Sequence, residues 1–383
     1  MSATAEQDYE ALYQQRLATV MANGGFMRAY EPQEPVLGAT DYQPLVSVAA
    51  EERTLSAASL AEAIDYAERN NSDAFMVWQG GRLQAASYFG EVSQTTPLVS
   101  KSLSKPLGAI AVGRALQLGA IQSLDQAVAD FITEWRGTPK ALVKVRHLLD
   151  MRSGFLAQGF STDPDHPWNR AYLSLEHGDY LIHHYPLAAE PGEKYLYNNA
   201  TGDMVALLIE RATGQRYGDF IGQEVLAKVG AAGGSIWVDR PQGLAHSGCC
   251  MYLPAESWLR LALLLLNNGM VEGERLLPEG YVQAMATATE QNPHYGLGVW
   301  VAGDYVERRG FTGPGGPGPQ VLHSQPYADE TLFMFDGNSN QVVYVLPKYD
   351  MVVLRLGRTP PKSPEWDNSL LPNLLVKGLL AKP

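Results

Sequence analysis

The order of apolar patterns along this chain constrains its fold more than any single residue does. Near the start, Ala74-Phe75-Met76-Val77-Trp78 is a strand-like run that stops at Gly80-Gly81, and residues 83–89 read as its hairpin partner. Toward the end come three more β-rich runs, residues 295–301, 341–346 and 351–356. The last two are joined by Pro347-Lys348-Tyr349-Asp350, short enough for a second hairpin. Between these ends the periodicity is helical, over residues 124–131, 143–151 and 203–212, the last stopping at Thr213-Gly214. Helices are also predicted over 6–22, 59–70 and 370–380. Strands from both ends with helices between them imply an α/β (α+β) sheet domain interrupted by a helical one. The expected boundaries are an N-terminal arm over 1–55, a discontinuous sheet domain over 56–105 and 231–383, and a helical domain over 106–230.

Charge and composition narrow the partners. A net charge of −12 argues against nucleic acid and against anionic membranes. The apolar run 261–266 is far short of a bilayer span, so no membrane partner is expected. The first eight residues carry neither the basic nor the apolar segment of a secretory signal. Cys249 and Cys250 are the two cysteines and are adjacent, so no disulfide framework can be built from them. They read as small core residues. None of the eight histidines is spaced like a zinc ligand. The expectation is a reduced, metal-free and cofactor-free protein of the cytoplasm.

One motif carries chemistry. Ser102-Leu103-Ser104-Lys105 is the only place where a serine precedes a lysine by three residues, and it heads the apolar stretch 106–112. Residues i and i+3 share a helix face, so the amine is held against the hydroxyl, as a Ser–Lys nucleophile pair requires. Alone the spacing is weak. Two other segments lift it. Tyr197-Asn198-Asn199 precedes a helix ending in Glu210-Arg211-Ala212-Thr213-Gly214, and Phe335-Asp336-Gly337-Asn338-Ser339-Asn340-Gln341 leads straight into the strand 342–346.

With these segments in this order, residues 55–360 resemble the serine β-lactamase-like superfamily. That group includes class C β-lactamases, DD-peptidases, carboxylesterases and 6-aminohexanoate-dimer hydrolases. Its S-x-x-K motif is matched by Ser102 and Lys105, running into Pro106 as in the esterase branch. Its Y-x-N motif is matched by Tyr197 and Asn199. The runs 73–77 and 197–203 are most similar to the 6-aminohexanoate-dimer hydrolases. The third motif, K-T-G, is missing, and the stretch around Gly337 stands in its place. A strand edge there still offers a backbone N–H which, with that of Ser102, can bind an oxyanion. What is lost is the cation and hydroxyl that recognise a β-lactam or peptide carboxylate.

The resemblance therefore implies a β-lactamase-like fold, an antiparallel sheet flanked by helices with an inserted, mainly helical domain. It implies Ser102, Lys105 and Tyr197 as catalytic residues, with Asn199, Gly337, Asn338 and Ser339 binding the oxyanion or substrate, and no metal. The expected function is cleavage of small carboxylic esters, and of linear amides, through an acyl-enzyme. A nylon-dimer amide hydrolase, a penicillin-binding protein or β-lactamase, and an inactive binding protein of the same fold are the alternatives. Unperturbed Lys and Tyr are both protonated at pH 7. A nearby Lys⁺ lowers a tyrosine pKa and burial lowers a lysine's, so neutral Lys105 or a Tyr197 phenolate serves as the base. The sequence leaves both open. Residues 310–319 read as a solvent loop or lid, and His323 and Trp168 as structural. Ser247 lacks a G-x-S-x-G elbow and is discounted.

Overall fold

The computed structural model describes residues 3–24, 27 and 29–380. Met1 and Ser2 of the expected arm, and 381–383 at the end of the expected sheet domain, lie outside the described residues. Strand Ser72–Gln79 bonds on one side to its hairpin partner Arg82–Tyr88 and on the other to Met351–Gly357, which arrives from the far end of the chain. The sheet continues through Gln341–Leu346, Phe333–Gly337 and Trp300–Val301, and every neighbouring pair is antiparallel. Alternation splits its side chains between two cores. Phe75, Val77, Val342 and Tyr344 pack with Leu60 and Ala63 of helix Ala57–Arg69 and with Leu371 and Leu375 of helix Leu370–Lys377. Ala74, Met76, Val343 and Val345 face the other way, toward Trp258 and Leu261 of helix Ala255–Leu266. Covering both faces explains why these strands are continuous apolar runs. Fully burying one such side chain stabilises by about 1.5–3 kcal/mol.

Two predicted elements are reshaped. Residues 124–131 form no α-helix; the turn Val128–Asp130 is 3-10. The carbonyls a helix would use are taken by distant amides: Arg146 N–H bonds Leu124 O at 2.9 Å and Val145 N–H bonds Gln126 O at 3.0 Å. The run 295–301 is strand only at Trp300–Val301. Before it, Gly298 adopts φ 74° and donates to Leu149 O at 2.9 Å, which turns the chain off the sheet edge.

A second, smaller sheet brings the key turns together. Leu98–Val99 pairs with Met251–Leu253, which pairs in turn with Gly234–Trp237, and that strand pairs on its other side with Gln33–Val36. Ser100 N–H donates to Met251 O at 2.7 Å and Met251 N–H to Ser100 Oγ at 3.0 Å, so the turn at 101–103 and the loop 246–250 leave the same sheet end. In that loop Cys249 and Cys250 form a disulfide, which corrects the expectation of two reduced thiols. Cys250 is in the left-handed region, φ 72°, so adjacent side chains that diverge in a helix or strand are turned together here. Both are buried as expected, but the pair no longer argues for a reducing compartment.

Arg355, fully buried in strand Met351–Gly357, pins the turn beyond Gly337. Its guanidinium donates to Ser72 Oγ and to the carbonyls of Ser339, Asn340, Asn70 and Arg358. Ser339 and Asn340 both have positive φ, so this turn depends on outside support. Arg355→Leu strands the buried acceptors Ser72 Oγ and Asn70 O and frees the turn, and should cost about 3 kcal/mol or more. Urea unfolding checks it; a midpoint equal to that of the wild type would contradict this role.

Candidate active site

Ser102 lies in the 3-10 turn Lys101–Leu103, which runs directly into helix Ser104–Gln117. Residues three apart eclipse in such a turn, so the buried Lys105 is stacked over half-buried Ser102 with Nζ 3.2 Å from Oγ. The expected pairing is present, built on a tighter turn than an α-helix. Lys101, at φ 50°, is tied down by Cys250 N–H on its carbonyl at 3.2 Å and by its own Nζ on Tyr30 Oη at 2.7 Å.

Lys105 Nζ has two closer partners, Asn199 Oδ1 and Gly248 O, each at 2.6 Å. Burial pushes the amine down to about 7, against the charge of Asp203, which raises it. Nζ sits 4.7 Å from the centroid of the Tyr197 ring, over its face. Burial of Tyr197 pushes its phenol up; a hydrogen bond with Ser102 and the charge of Arg309 pull it down, while Asp336 adds to the rise. The phenol is therefore protonated at neutral pH, while the amine gives up its proton far more readily than an ordinary lysine. These shifts favour neutral Lys105 over a Tyr197 phenolate.

The chain after Tyr197 turns into helix Asn199–Thr213, capped by Asn198 Oδ1, which accepts Thr201 N–H at 2.5 Å. Asn199, expected at the oxyanion or substrate, has its side chain on Lys105, and its N–H donates to Gln158 Oε1 at 3.1 Å. Gly337 does reach the nucleophile turn. A Cβ there would come within 2.8 Å of Leu103 Cδ1 and 3.2 Å of Leu103 N, so a larger residue would crowd the nucleophile turn. Trp300–Val301 pairs with Phe333 and Met334 alone, leaving that edge from Phe335 to Gly337 without a strand neighbour among the described residues. Asn338 is exposed and accepts Ser339 N–H at 2.7 Å, and Ser339 Oγ lies 2.9 Å from Thr359 Oγ1.

Several residues around the site belong to no motif of the sequence. Arg309 forms a buried ion pair with Asp336, one residue before Gly337, and its guanidinium lies 4.1 Å from the Trp300 ring centroid. Asp203 Oδ1 accepts Gly248 N–H at 2.8 Å and Oδ2 lies 3.2 Å from His246 Nδ1, with His177 stacked beyond. An acid inside the apolar run that follows Asn199 by four residues was the available clue, because i and i+4 share a face. His177, Asp203 and His246 offer ligand atoms within 4.8 Å of one another. The two rings are nevertheless stacked, 3.9 Å between centroids and 10° between planes, so in-plane lone pairs do not converge on one metal.

The remaining candidates take structural places. Ser247 Oγ donates to Gly202 O at 2.7 Å and accepts Ala206 N–H at 3.0 Å. Trp168 is buried and stacked on Tyr172. His323 lines a cavity of about 110 Å³ with Arg309 and His294. In loop 310–319, Phe311 packs edge-on against Trp300, and its carbonyl accepts the Tyr195 hydroxyl at 3.4 Å. No helix among the described residues is long and apolar enough to cross a membrane.

Comparison with known proteins bears on the fold and the family. A 6-aminohexanoate-dimer hydrolase of Paenarthrobacter ureafaciens is 25% identical over 229 residues, covering 57% of this chain; the chain spans 58% of that relative's length. Among solved structures, a protein of Bacillus anthracis provisionally assigned as a 6-aminohexanoate-dimer hydrolase superimposes with a TM-score of 0.64 at 20% identity, covering 87% of each chain. A class C β-lactamase of Rhodobacter sphaeroides does so with a TM-score of 0.59 at 18% identity, covering 85% of this chain and all of the other. The sequence profile of the β-lactamase family matches residues 57–369, the span that holds the sheet, the Ser102 turn and Tyr197, and the chain belongs to that family of serine hydrolases.

Proposed function

We propose that this enzyme cleaves small, uncharged carboxylic esters through an acyl-enzyme on Ser102, with Lys105 as the base and Tyr197 as the proton donor. One observation carries the assignment. A neutral amine has two N–H donors and one lone pair; Asn199 Oδ1 and Gly248 O take the two donors, and the remaining direction meets Ser102 Oγ. On attack, Oγ bonds the carbonyl carbon and its proton passes to Nζ. The oxyanion faces the backbone N–H groups of Ser102 and the Gly337–Asn338 edge. As the C–O bond to the alcohol breaks, that oxygen takes a proton from the Tyr197 hydroxyl, and the Lys105 ammonium, whose Nζ lies 4.7 Å from the Tyr197 ring centroid, returns one to the phenolate, leaving both groups as they began. Water then repeats the sequence to release the acid and restore Ser102.

Ester preference rests on what stands at the third motif. Asp336 occupies the strand just before Gly337, and the nearby arginine is already paired with it. Arg308 is paired with Glu365, and Arg358 lies 3.8 Å from Asp73. A penicillin or cephalosporin carboxylate would be desolvated there with no free cation among the described residues, which costs several kcal/mol. Nitrocefin turnover should therefore be at least about a hundredfold poorer in kcat/KM than that of p-nitrophenyl acetate, about 2.7 kcal/mol in barrier. Comparable rates for the two would overturn the ester reading and favour a β-lactamase. A second reading, linear amide hydrolysis, is supported by the similarity to a 6-aminohexanoate-dimer hydrolase. Turnover of that dimer above the ester rate would select it.

A further inference from the structure

We propose that Asp203 is a positioning residue for the Ser102 chemistry: its carboxylate anchors the Gly248 amide so that the Gly248 carbonyl stays on Lys105, and it places a buried negative charge beside that amine. The proposal rests on Lys105 acting as the base.

The geometry is continuous. Asn199 and Asp203 stand four residues apart in one helix and share a face. Asn199 touches Nζ directly, whereas Asp203 acts through Gly248, whose N–H it accepts at 2.8 Å and whose carbonyl receives Nζ at 2.6 Å. Glycine is needed at 248, because a Cβ would come within 2.7 Å of Asn199 O. Glycine also leaves the backbone free to choose other conformations. Its carbonyl keeps its aim because the N–H of the same residue is held. On the far side, His246 lies flat between Trp237 and His177, with centroid separations of 3.5 and 3.9 Å, so the ring beside Asp203 Oδ2 is fixed as well.

The charge matters as much as the anchor. Burial pushes the Asp203 carboxyl up, but His246, His177 and the Gly248 N–H outweigh it and hold it below its ordinary value. Burial, aided by His177, pushes His246 down to about 4, so the ring is neutral at pH 7 and does not cancel the carboxylate. The other titratable group facing Lys105 is Tyr197, beside the Asp336–Arg309 pair. Tyr172 and Tyr217, which feel the Asp203 charge, are pushed up by burial and stay neutral; Asp239 lies beyond, 3.2 Å from His177. A carboxylate favours the ammonium form of Lys105, so removing its charge lets the amine lose its proton at lower pH.

The test is the pH profile of kcat/KM for p-nitrophenyl acetate. The wild type should show an acid limb near pH 7. Asp203→Asn keeps an oxygen for the Gly248 N–H and should move that limb down by about one pH unit. Asp203→Ser, neutral and smaller, should move it the same way. A limb that stays at the wild-type pH in a folded variant, even with reduced rates, would show a merely structural residue and overturn the proposal. So would loss of the folded circular dichroism spectrum in both variants. A wild-type profile with no such limb would instead remove Lys105 as the base, a different failure from an existing limb that does not move.

Discussion

Ser102→Ala should give a folded protein that has lost hydrolysis of p-nitrophenyl acetate and butyrate by about three orders of magnitude or more. The hydroxyl supplies the covalent step, and nothing else in the turn can replace it. Ser104 is buried with its Oγ on Lys101 O at 3.2 Å, and Ser247 is spent on backbone groups. The stability cost should be small, because Ser102 is half-buried and its hydroxyl bonds only within the site, about 0.5–1.5 kcal/mol. A variant that keeps more than a few per cent of the wild-type rate would show that the nucleophile is another residue.

Lys105→Ala and Tyr197→Phe should each slow acylation by orders of magnitude, and the double variant should lose little more than the worse of the two. Both handle the same proton, so once either is gone the other has nothing to relay. The two should differ in stability. Lys105→Ala leaves Asn199 Oδ1 and Gly248 O without their donor, at about 1–3 kcal/mol for each buried group, whereas Tyr197→Phe keeps the ring packed between Tyr295 and Trp300. Single-turnover acylation rates, measured beside thermal melts, separate chemistry from folding. Rate losses that multiplied cleanly would show that the residues do not act as a unit.

What was legible in the sequence was local. The Ser102–Lys105 pairing follows from a three-residue spacing, and the strands at 72–88 and 341–357 from unbroken apolar runs. Gly214, at φ 71°, ends its helix where a glycine stop was expected. What stayed hidden depends on distant contacts. Residues 124–131 have helical periodicity, yet the carbonyls of Leu124 and Gln126 accept from residues 146 and 145 instead of from the next helical turn. The partners of Lys105 lie 94 and 143 residues away, one of them a backbone carbonyl whose residue type carries no chemical signature. Asp203 and His246 are 43 residues apart, and Arg309 and Asp336 are 27 apart, so no motif announces either pair. The vicinal disulfide was missed because the left-handed turn at Cys250 cannot be read from two adjacent cysteines.

The covalent step on Ser102 is tested most directly by labelling with a fluorophosphonate, which phosphonylates activated serines, followed by mass spectrometry of the digested protein. The account predicts a single adduct on the peptide that carries Ser102, formed far more slowly in Lys105→Ala and absent in Ser102→Ala. An adduct on another serine, or none at all on the folded wild-type protein, would contradict it.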